Sequence, residues 1–478
     1  MKKFTLIFLL SFFSLNLNAQ IDTVLLNEQA ALMFPSFPVK SSYTSLIDRR
    51  PGLQIIYSAN MEHGLEFFNF ATSGNISSTG VWPISSLNNL DVSTIEQRGN
   101  SLFIGTGDFQ VNTNSASGLT ILDITNLVTP FIKDSWDSTA FSHGISHILV
   151  DGDYAYLSTM KDGIIILDIS DEENIIFKSH LQLDLNFPTA SLNAHNARGL
   201  KIVNNLLYVC FDRGGIRLVD VTDKSNPIEI YKYINVNLNG QAAAAYNDIV
   251  IKNNFAFVSV DYCGIEVIDI SQTPFTSIQW YNPWNCNTSN WSGAPLHTNE
   301  MILASNDSLL FVSGGQSEVF VFDVTDALNV HKVGEYAFVN DSLATHGLDV
   351  YNNKVILSFI HTPVFLPPFT PFYADPGGLK LLDYTTLNSI ASIEPKVSQK
   401  GFLEVYPNPN FDDLIQLNSY NQNTEVEIYD HLGKLMFKGN TNDSNKIMIS
   451  TKNWHAGIYA LLGTYHHTTH VTQFVKID

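Results

Sequence analysis

Only three cysteines occur in 478 residues, Cys210, Cys263 and Cys286, an odd number and far too few for a disulfide framework. Cys263 and Cys286 can pair, whereas Cys210 lies inside an apolar run that reads as a buried strand. Basic residues are also scarce. The 26 Lys and Arg stand against 46 Asp and Glu, for a net charge of −20, which excludes nucleic acid and an anionic membrane surface as natural partners. Charged residues of both signs make up 15 %, so the surface must lean on Asn, Ser and Thr. Catalytic motifs are missing too: there is no Gly-x-Ser-x-Gly, Walker loop, dinucleotide fingerprint, EF-hand spacing or His-Glu-x-x-His. Long apolar runs are confined to the first residues. Lys2-Lys3, an apolar stretch from Phe4 to Phe13 and the ending Leu17-Asn18-Ala19 predict a signal peptide over 1–19, with mature protein from about Gln20. That stretch is too short for a permanent anchor, and no other predicts a transmembrane segment in the mature chain.

What the chain has in abundance is one repeated phrase. It reads Gly163-Ile-Ile-Ile-Leu-Asp-Ile-Ser-Asp171, Gly118-Leu-Thr-Ile-Leu-Asp-Ile-Thr-Asn126, Gly215-Ile-Arg-Leu-Val-Asp-Val-Thr-Asp223, Gly264-Ile-Glu-Val-Ile-Asp-Ile-Ser271 and Glu318-Val-Phe-Val-Phe-Asp-Val-Thr-Asp326. Worn copies at Gly64-Leu-Glu-Phe-Phe-Asn-Phe70 and Gly378-Leu-Lys-Leu-Leu-Asp-Tyr384 bring the count to seven. A period of about 50 residues marks a repeat architecture. Each copy is a β-branched, apolar run bounded by turn residues, hence a strand. Two further runs precede it, as in Gly199-Leu-Lys-Ile-Val203 and Leu206-Leu-Tyr-Val-Cys210, joined by tight Asn turns. A weaker fourth run follows, as in Pro227-Ile-Glu-Ile-Tyr231. Four antiparallel strands per repeat predict an all-β fold, a β-propeller of seven blades over 20–395. Residues 20 to about 50 supply either the first inner strand or a strand that closes the ring onto the last blade, since an open ring leaves edges exposed.

The phrase resembles the LVIVD repeat of bacterial propellers from Gly64 to Tyr384, which implies the propeller fold and no particular activity. After Tyr384 the period is lost. A bridge from Ser392 to Gly401 leads into 396–478, where short alternating strands and turns predict a small antiparallel β-sandwich. Its set Tyr406-Pro407-Asn408-Pro409, Gly433-Lys434, Gly457 with Tyr459, and Lys476 close to the end resembles the C-terminal sorting domain of the type IX (Por) secretion system. That resemblance implies the type IX machinery as partner, release or attachment at the outer cell surface, and a Bacteroidetes source.

In a propeller the second-to-third-strand and blade-to-blade connections share one face. Here these connections are long (105–117, 183–196, 235–247, 280–298 and 360–377), while the other face carries short turns. Function concentrates on such loops. Trp280, Trp284 and Trp291 lie in one of them; Phe369 and Tyr373 lie in another, stiffened by proline. These aromatics suit stacking on a glycan or on a protein anchor; the alternative is that they pack on each other and plug the face. His143, His195 and His297 fall in one register just before a first strand, with His346 three residues deeper. Neutral imidazoles there suit Zn or Cu, with Asp248, Glu300 and Asp349 as added carboxylates; the alternative is polar groups that satisfy strand ends. The leading expectation is a binding module for a glycan, protein or envelope component. Its rival is a metal-dependent hydrolase, lactonase or oxidase. The Asp of the phrase recurs in blade after blade, which predicts a turn-fixing acceptor of backbone N–H groups and not a catalyst.

Overall fold

The computed structural model describes residues 21–71, 74–107, 116–189, 195–238, 244–282, 298–315, 318–337, 342–362, 374–388, 403–408, 410, 413–419, 423–430, 434–441, 445–465 and 468–477. The proposed signal peptide, 1–19, lies outside them. The chain divides into two compact units, 1–389 and 390–478.

In the first unit the described residues form seven four-stranded antiparallel sheets. Sheets 1 to 6 are built from consecutive strands, for instance Leu200–Val203, Leu206–Cys210, Ile216–Asp220 and Ile228–Tyr233 in sheet 4. Sheet 7 takes Thr345–Tyr351, Lys354–Phe359 and Gly378–Asn388 from the end of the unit and its outer strand, Ile21–Met33, from the start. The first strands touch in cyclic order, and Thr44–Ile47 of sheet 1 meets Thr345–Tyr351 of sheet 7, so the ring is closed. Both roles expected of residues 20–50 are therefore filled, by different strands.

The apolar phrase is continuous because its strand is buried on both faces. Alternate side chains serve opposite neighbours: Ile165 and Leu167 pack toward sheet 2, while Ile164 and Ile166 pack toward sheet 4. One hydrophobic cluster fills each of the seven interfaces between adjacent sheets. Each buried Ile, Leu or Phe there contributes about 1.5–3 kcal/mol. The glycine that opens the phrase is required by close approach. Gly215 has φ +78 and Gly264 φ +81, and a Cβ would stand 2.0 Å from the Tyr233 carbonyl oxygen or 2.1 Å from that of Tyr281.

Two kinds of turn set the faces apart. On one face, two-residue turns join first and second strands at 99–100, 152–153, 204–205, 253–254 and 352–353, with positive φ at Gly99, Gly152, Asn204, Asn205, Asn253 and Asn352. Sheets 1 and 6 depart from the uniform tightness expected, with 48–54 and 304–308. In sheet 1 the longer turn lets Arg50 fold back onto the buried Asp48, whose carboxylate also accepts from the Tyr57 hydroxyl. The recurring Asp acts as expected on the same face: Asp123, Asp168, Asp220, Asp269 and Asp323 each accept the backbone N–H two residues on, at 2.8–3.0 Å. The opposite face carries the connections 107–116, 182–199, 234–245, 282–300 and 360–377.

In the second unit a three-stranded sheet and a four-stranded sheet share one core, which includes Leu417, Ile428, Ile449, Tyr459 and Phe474. No helix among the described residues is long and apolar enough to cross a membrane.

Candidate functional site

The innermost strands start on the face with the long connections. Bridges Met160–Ala197, Asp212–Tyr246, Asp261–Thr298 and Gly315–Thr345 tie each second-strand end to the start of the next first strand. They set Arg198, Asn247, Asn299 and His346 level with one another. These four side chains meet Ser146, His147, Asp248 and Glu300 around a small cavity of about 30 Å³, room for little more than ordered water. The cavity belongs to the sheet starts of blades 3 to 7.

The carboxylates at this axis fasten neighbouring strands. Asp248 accepts the Ile249 N–H at 2.8 Å and, from the next sheet, the Met301 N–H at 2.8 Å. Glu300 accepts the Leu348 N–H from sheet 7 at 3.0 Å and the Thr44 hydroxyl from sheet 1 at 2.7 Å. Asp349 accepts the Ile47 N–H at 2.7 Å and pairs with Arg49 at 2.5 Å. Gly199 is what lets Asp248 reach its place, because a Cβ there would lie 2.4 Å from its Oδ1.

Burial disfavours charge in this ring. It pushes Glu300 up to about 8, helped by the nearby Asp248 and Asp349 charges and opposed by the Thr44 and Leu348 bonds. It pushes Asp248 up to about 7 against its two backbone bonds, and Glu96 to about 7 against the pull of Arg49. Burial lowers His147 to about 4, with Lys201 adding repulsion. The folded state therefore holds protons on the acids at pH values where the unfolded chain, with its ordinary carboxyls, has released them. Stability falls as pH rises from the ordinary carboxyl range to about 8. His147 acts the other way between about pH 4 and 6.5, since only the unfolded chain binds its proton. Above 6.5 the acids act alone. The melting temperature is expected to drop between pH 6.5 and 9. Glu300→Gln, which keeps the acid's shape without a titrating proton, should raise stability at pH 9 by about 1–3 kcal/mol and flatten the slope. A variant with an unchanged pH profile in thermal melts contradicts this account.

The other expected site residues are placed as follows. His346 lies at the cavity, its Nδ1 3.1 Å from the Tyr43 carbonyl. His143 is held at 2.9 Å by the Asp162 carboxylate, and His195 Nε2 sits 2.9 Å from the Phe187 carbonyl. Neither lines the cavity. His297 is outside the described residues, and among those described no three His, Cys, Asp or Glu side chains are grouped to hold a metal ion. Trp280 donates its indole N–H to the Cys263 carbonyl at 2.6 Å and packs on the core between sheets 4 and 5. Trp284, Trp291, Phe369 and Tyr373 fall outside the described residues. Cys263 is disulfide-bonded and Cys210 is a buried free thiol; Cys286 is likewise not described. Sequence reasoning missed His147, Ser146 and Asn299. Their signal was available: each sits at the start of a first strand, aligned with residues already singled out.

In the second unit the sorting-set residues have legible jobs. Asn408 accepts the Val475 N–H at 3.0 Å and donates to the Gln473 carbonyl, which clamps the last strand beside the exposed Tyr406 and the half-buried Pro407. Tyr459 stacks on Phe474 in the core, and its hydroxyl donates to the His455 carbonyl at 2.6 Å. Gly457 opens the strand that pairs with Lys476, a buried lysine 3.6 Å from Asp413. Lys434 closes a turn onto Asp430, while Pro409 and Gly433 are outside the described residues.

The LVIVD repeat model matches residues 145–182, 194–235 and 245–273, which span sheets 3, 4 and 5. The secretion system C-terminal sorting domain model matches 404–477. A comparison with curated proteins finds no match. Among solved structures, the chain is similar to the WD40 repeats of RRP9 (10 % identity, 76 % of this chain and 100 % of that one, TM-score 0.51). It is also similar to U3-55K (10 % identity, 74 % and 99 %, TM-score 0.52). At this identity the likeness shows the propeller fold alone. The chain is thus a secreted β-propeller protein that carries LVIVD repeats and, behind them, a type IX C-terminal sorting domain.

Proposed function

We propose that the propeller is an extracellular binding module, not an enzyme, and that its ligand engages the face with the long connections. One observation carries this reading. The axial cavity opens among the first-strand starts on the very face that bears 107–116, 182–199, 234–245, 282–300 and 360–377, while no connection on the opposite face is longer than seven residues. Binding is favoured over catalysis because Asp248 and Glu300 are both committed to backbone N–H groups of neighbouring strands. Export by the type IX route puts that face in contact with extracellular glycans and proteins.

The test is a glycan and protein array probed with the full-length protein. A ligand is expected whose binding is lost in Trp284→Ala/Trp291→Ala, a pair that leaves the fold-anchoring Trp280 in place. Failure to find any ligand, or binding untouched by the pair, overturns the reading.

A further inference from the structure

We infer that the segment 35–39 is a docking element of this face, and that Phe37 enters an apolar cleft on a basic protein partner. The inference rests on the binding reading above and names the class of partner. The segment lies in the connection 34–43, which runs from the outer strand of sheet 7 to the first strand of sheet 1 and so shares the face of the five long connections. Unlike those five, it is described at every residue. Phe37 is 87 % exposed and Val39 39 %, and Pro35, Ser36 and Pro38 are exposed with them. A single apolar side chain in water is ordinary. A run such as Phe37-Pro38-Val39, held out from the core, points instead to a contact surface.

The fold presents this segment from fixed ends. At its start Phe34 is buried between sheets 7 and 1, with its ring 6.4 Å from that of Phe68, and its N–H donates to the Gly377 carbonyl at 2.8 Å. At its end Lys40 pairs with Glu66 and lies 4.2 Å from the centre of the Phe34 ring, while the Ser42 N–H donates to the Phe359 carbonyl at 3.0 Å. Between the two, the Ser36 hydroxyl donates to Asp375 at 3.0 Å. Pro35 and Pro38 each fix one φ angle. A segment already ordered in this way loses little conformational entropy on binding. The chemistry of the strip selects its partner. With the Ser36 hydroxyl spent on Asp375, no side-chain donor remains in 35–39 to read sugar hydroxyls. A net charge of −20 opposes an anionic membrane and a second copy of this chain alike, and favours a basic protein surface. Aromatic side chains are enriched at protein interfaces, and one seated in a desolvated pocket carries a large share of the affinity.

The experiment probes an array of purified extracellular proteins and glycans with the full-length wild type, Phe37→Ser and Val128→Ser, where Val128 is 88 % exposed on the opposite face. At least one basic protein is expected to bind the wild type. Calorimetry with that protein should show binding weakened at least about tenfold by Phe37→Ser and untouched by Val128→Ser, at one melting temperature for all three. Affinity should fall as sodium chloride is raised from about 50 to about 500 mM. If Phe37→Ser melts lower than the wild type, Val39→Ser takes its place, with a loss in the same direction. A ligand that is a glycan overturns the inference, as does a protein that Phe37→Ser binds at wild-type strength; in both cases the binding reading survives. Vesicles of phosphatidylcholine and phosphatidylglycerol that bind the wild type but not Phe37→Ser overturn it in favour of a membrane. A wild-type dimer that Phe37→Ser dissociates in sedimentation overturns it in favour of a second copy. A wild-type protein with no ligand of any kind overturns both readings.

Discussion

Removal of residues 21–33 leaves the propeller unit without a cooperative thermal transition, and a synthetic peptide of that sequence added in trans restores it. The strand Ile21–Met33 is the outer strand of sheet 7, paired in register from Ile21 opposite Asn388 to Met33 opposite Gly378. It does more than finish a sheet. Ile21 and Val24 are buried in the cluster between sheets 6 and 7, and Ala30 in that between sheets 7 and 1. The Ile21 N–H donates to Asp323 in sheet 6 at 3.1 Å, and the Tyr336 hydroxyl donates to Glu28. Gly334 in sheet 6 lies so close that a Cβ would stand 2.7 Å from the Val24 carbonyl oxygen. Loss of two fully buried aliphatic side chains and of the half-buried Leu26 and Leu32 costs on the order of 5 kcal/mol or more. A whole domain has about 5–15 kcal/mol of stability. The deletion also bares the edge of Gly378–Asn388, a template for aggregation. The measurement is calorimetry and limited proteolysis of the shortened chain. A truncated protein that melts cooperatively within about 5 °C of the full-length one shows that the ring does not depend on this closure.

How much of this was legible beforehand depends on the range of the interaction. The seven-fold phrase was readable because each copy carries its own causes locally: an opening glycine at positive φ, an apolar strand buried on both faces, and an Asp that bonds two residues ahead. The middle position of the phrase was not readable. It holds Glu66, Thr120, Ile165, Arg217, Glu266, Phe320 and Lys380, which look like free variation in a strand. In the structure the charged ones are buried, each with a partner of its own. Glu66 pairs with Lys40, and Glu266 accepts from Tyr233, Asn235 and Tyr246. Lys380 pairs with Glu318 of the neighbouring sheet at 2.9 Å. Glu318 stands where other copies have glycine and tolerates φ 56 with that partner. These partners lie tens of residues away, so no local pattern announces them. The histidines show the same limit. Their register was visible, but the Phe187 carbonyl 2.9 Å from His195 Nε2 and the Asp162 carboxylate 2.9 Å from His143 Nδ1 were not. Conversely, the carboxylates at the axis looked like metal ligands in sequence because their backbone partners sit on the next blade.

Arg217→Ala is the point substitution expected to do most damage, about 3–5 kcal/mol, because it takes one member from a buried charged pair. Arg217 is wholly buried, and the low-polarity setting already lowers its pKa from the ordinary value, against the pull of Glu229. Its donors are spent in four directions. Nε donates to the Gly214 carbonyl at 3.0 Å, and Nη1 to Glu229 at 2.7 Å and to the Asp184 carbonyl at 3.0 Å. Nη2 donates to the Phe187 carbonyl at 2.9 Å. The guanidinium also lies over the rings of Phe187 and Phe211, at 5.2 and 4.9 Å. Two of those carbonyls belong to the connection 182–199, and Phe187 is also the partner of His195, so the arginine ties the start of this long connection to sheet 4. Alanine strands Glu229 without its cation and leaves three carbonyls without a donor. Lysine cannot supply four divergent bonds and a flat face, so Arg217→Lys should recover less than half of the loss. Glu229→Gln made together with Arg217→Ala should cost less than the sum of the two single changes, because the stranded charge is gone. Urea denaturation of the wild type and the four variants reads all three statements. Additive effects would mean that the pair contributes through packing alone, and a loss under about 1 kcal/mol for Arg217→Ala would mean that the loop is held by something else.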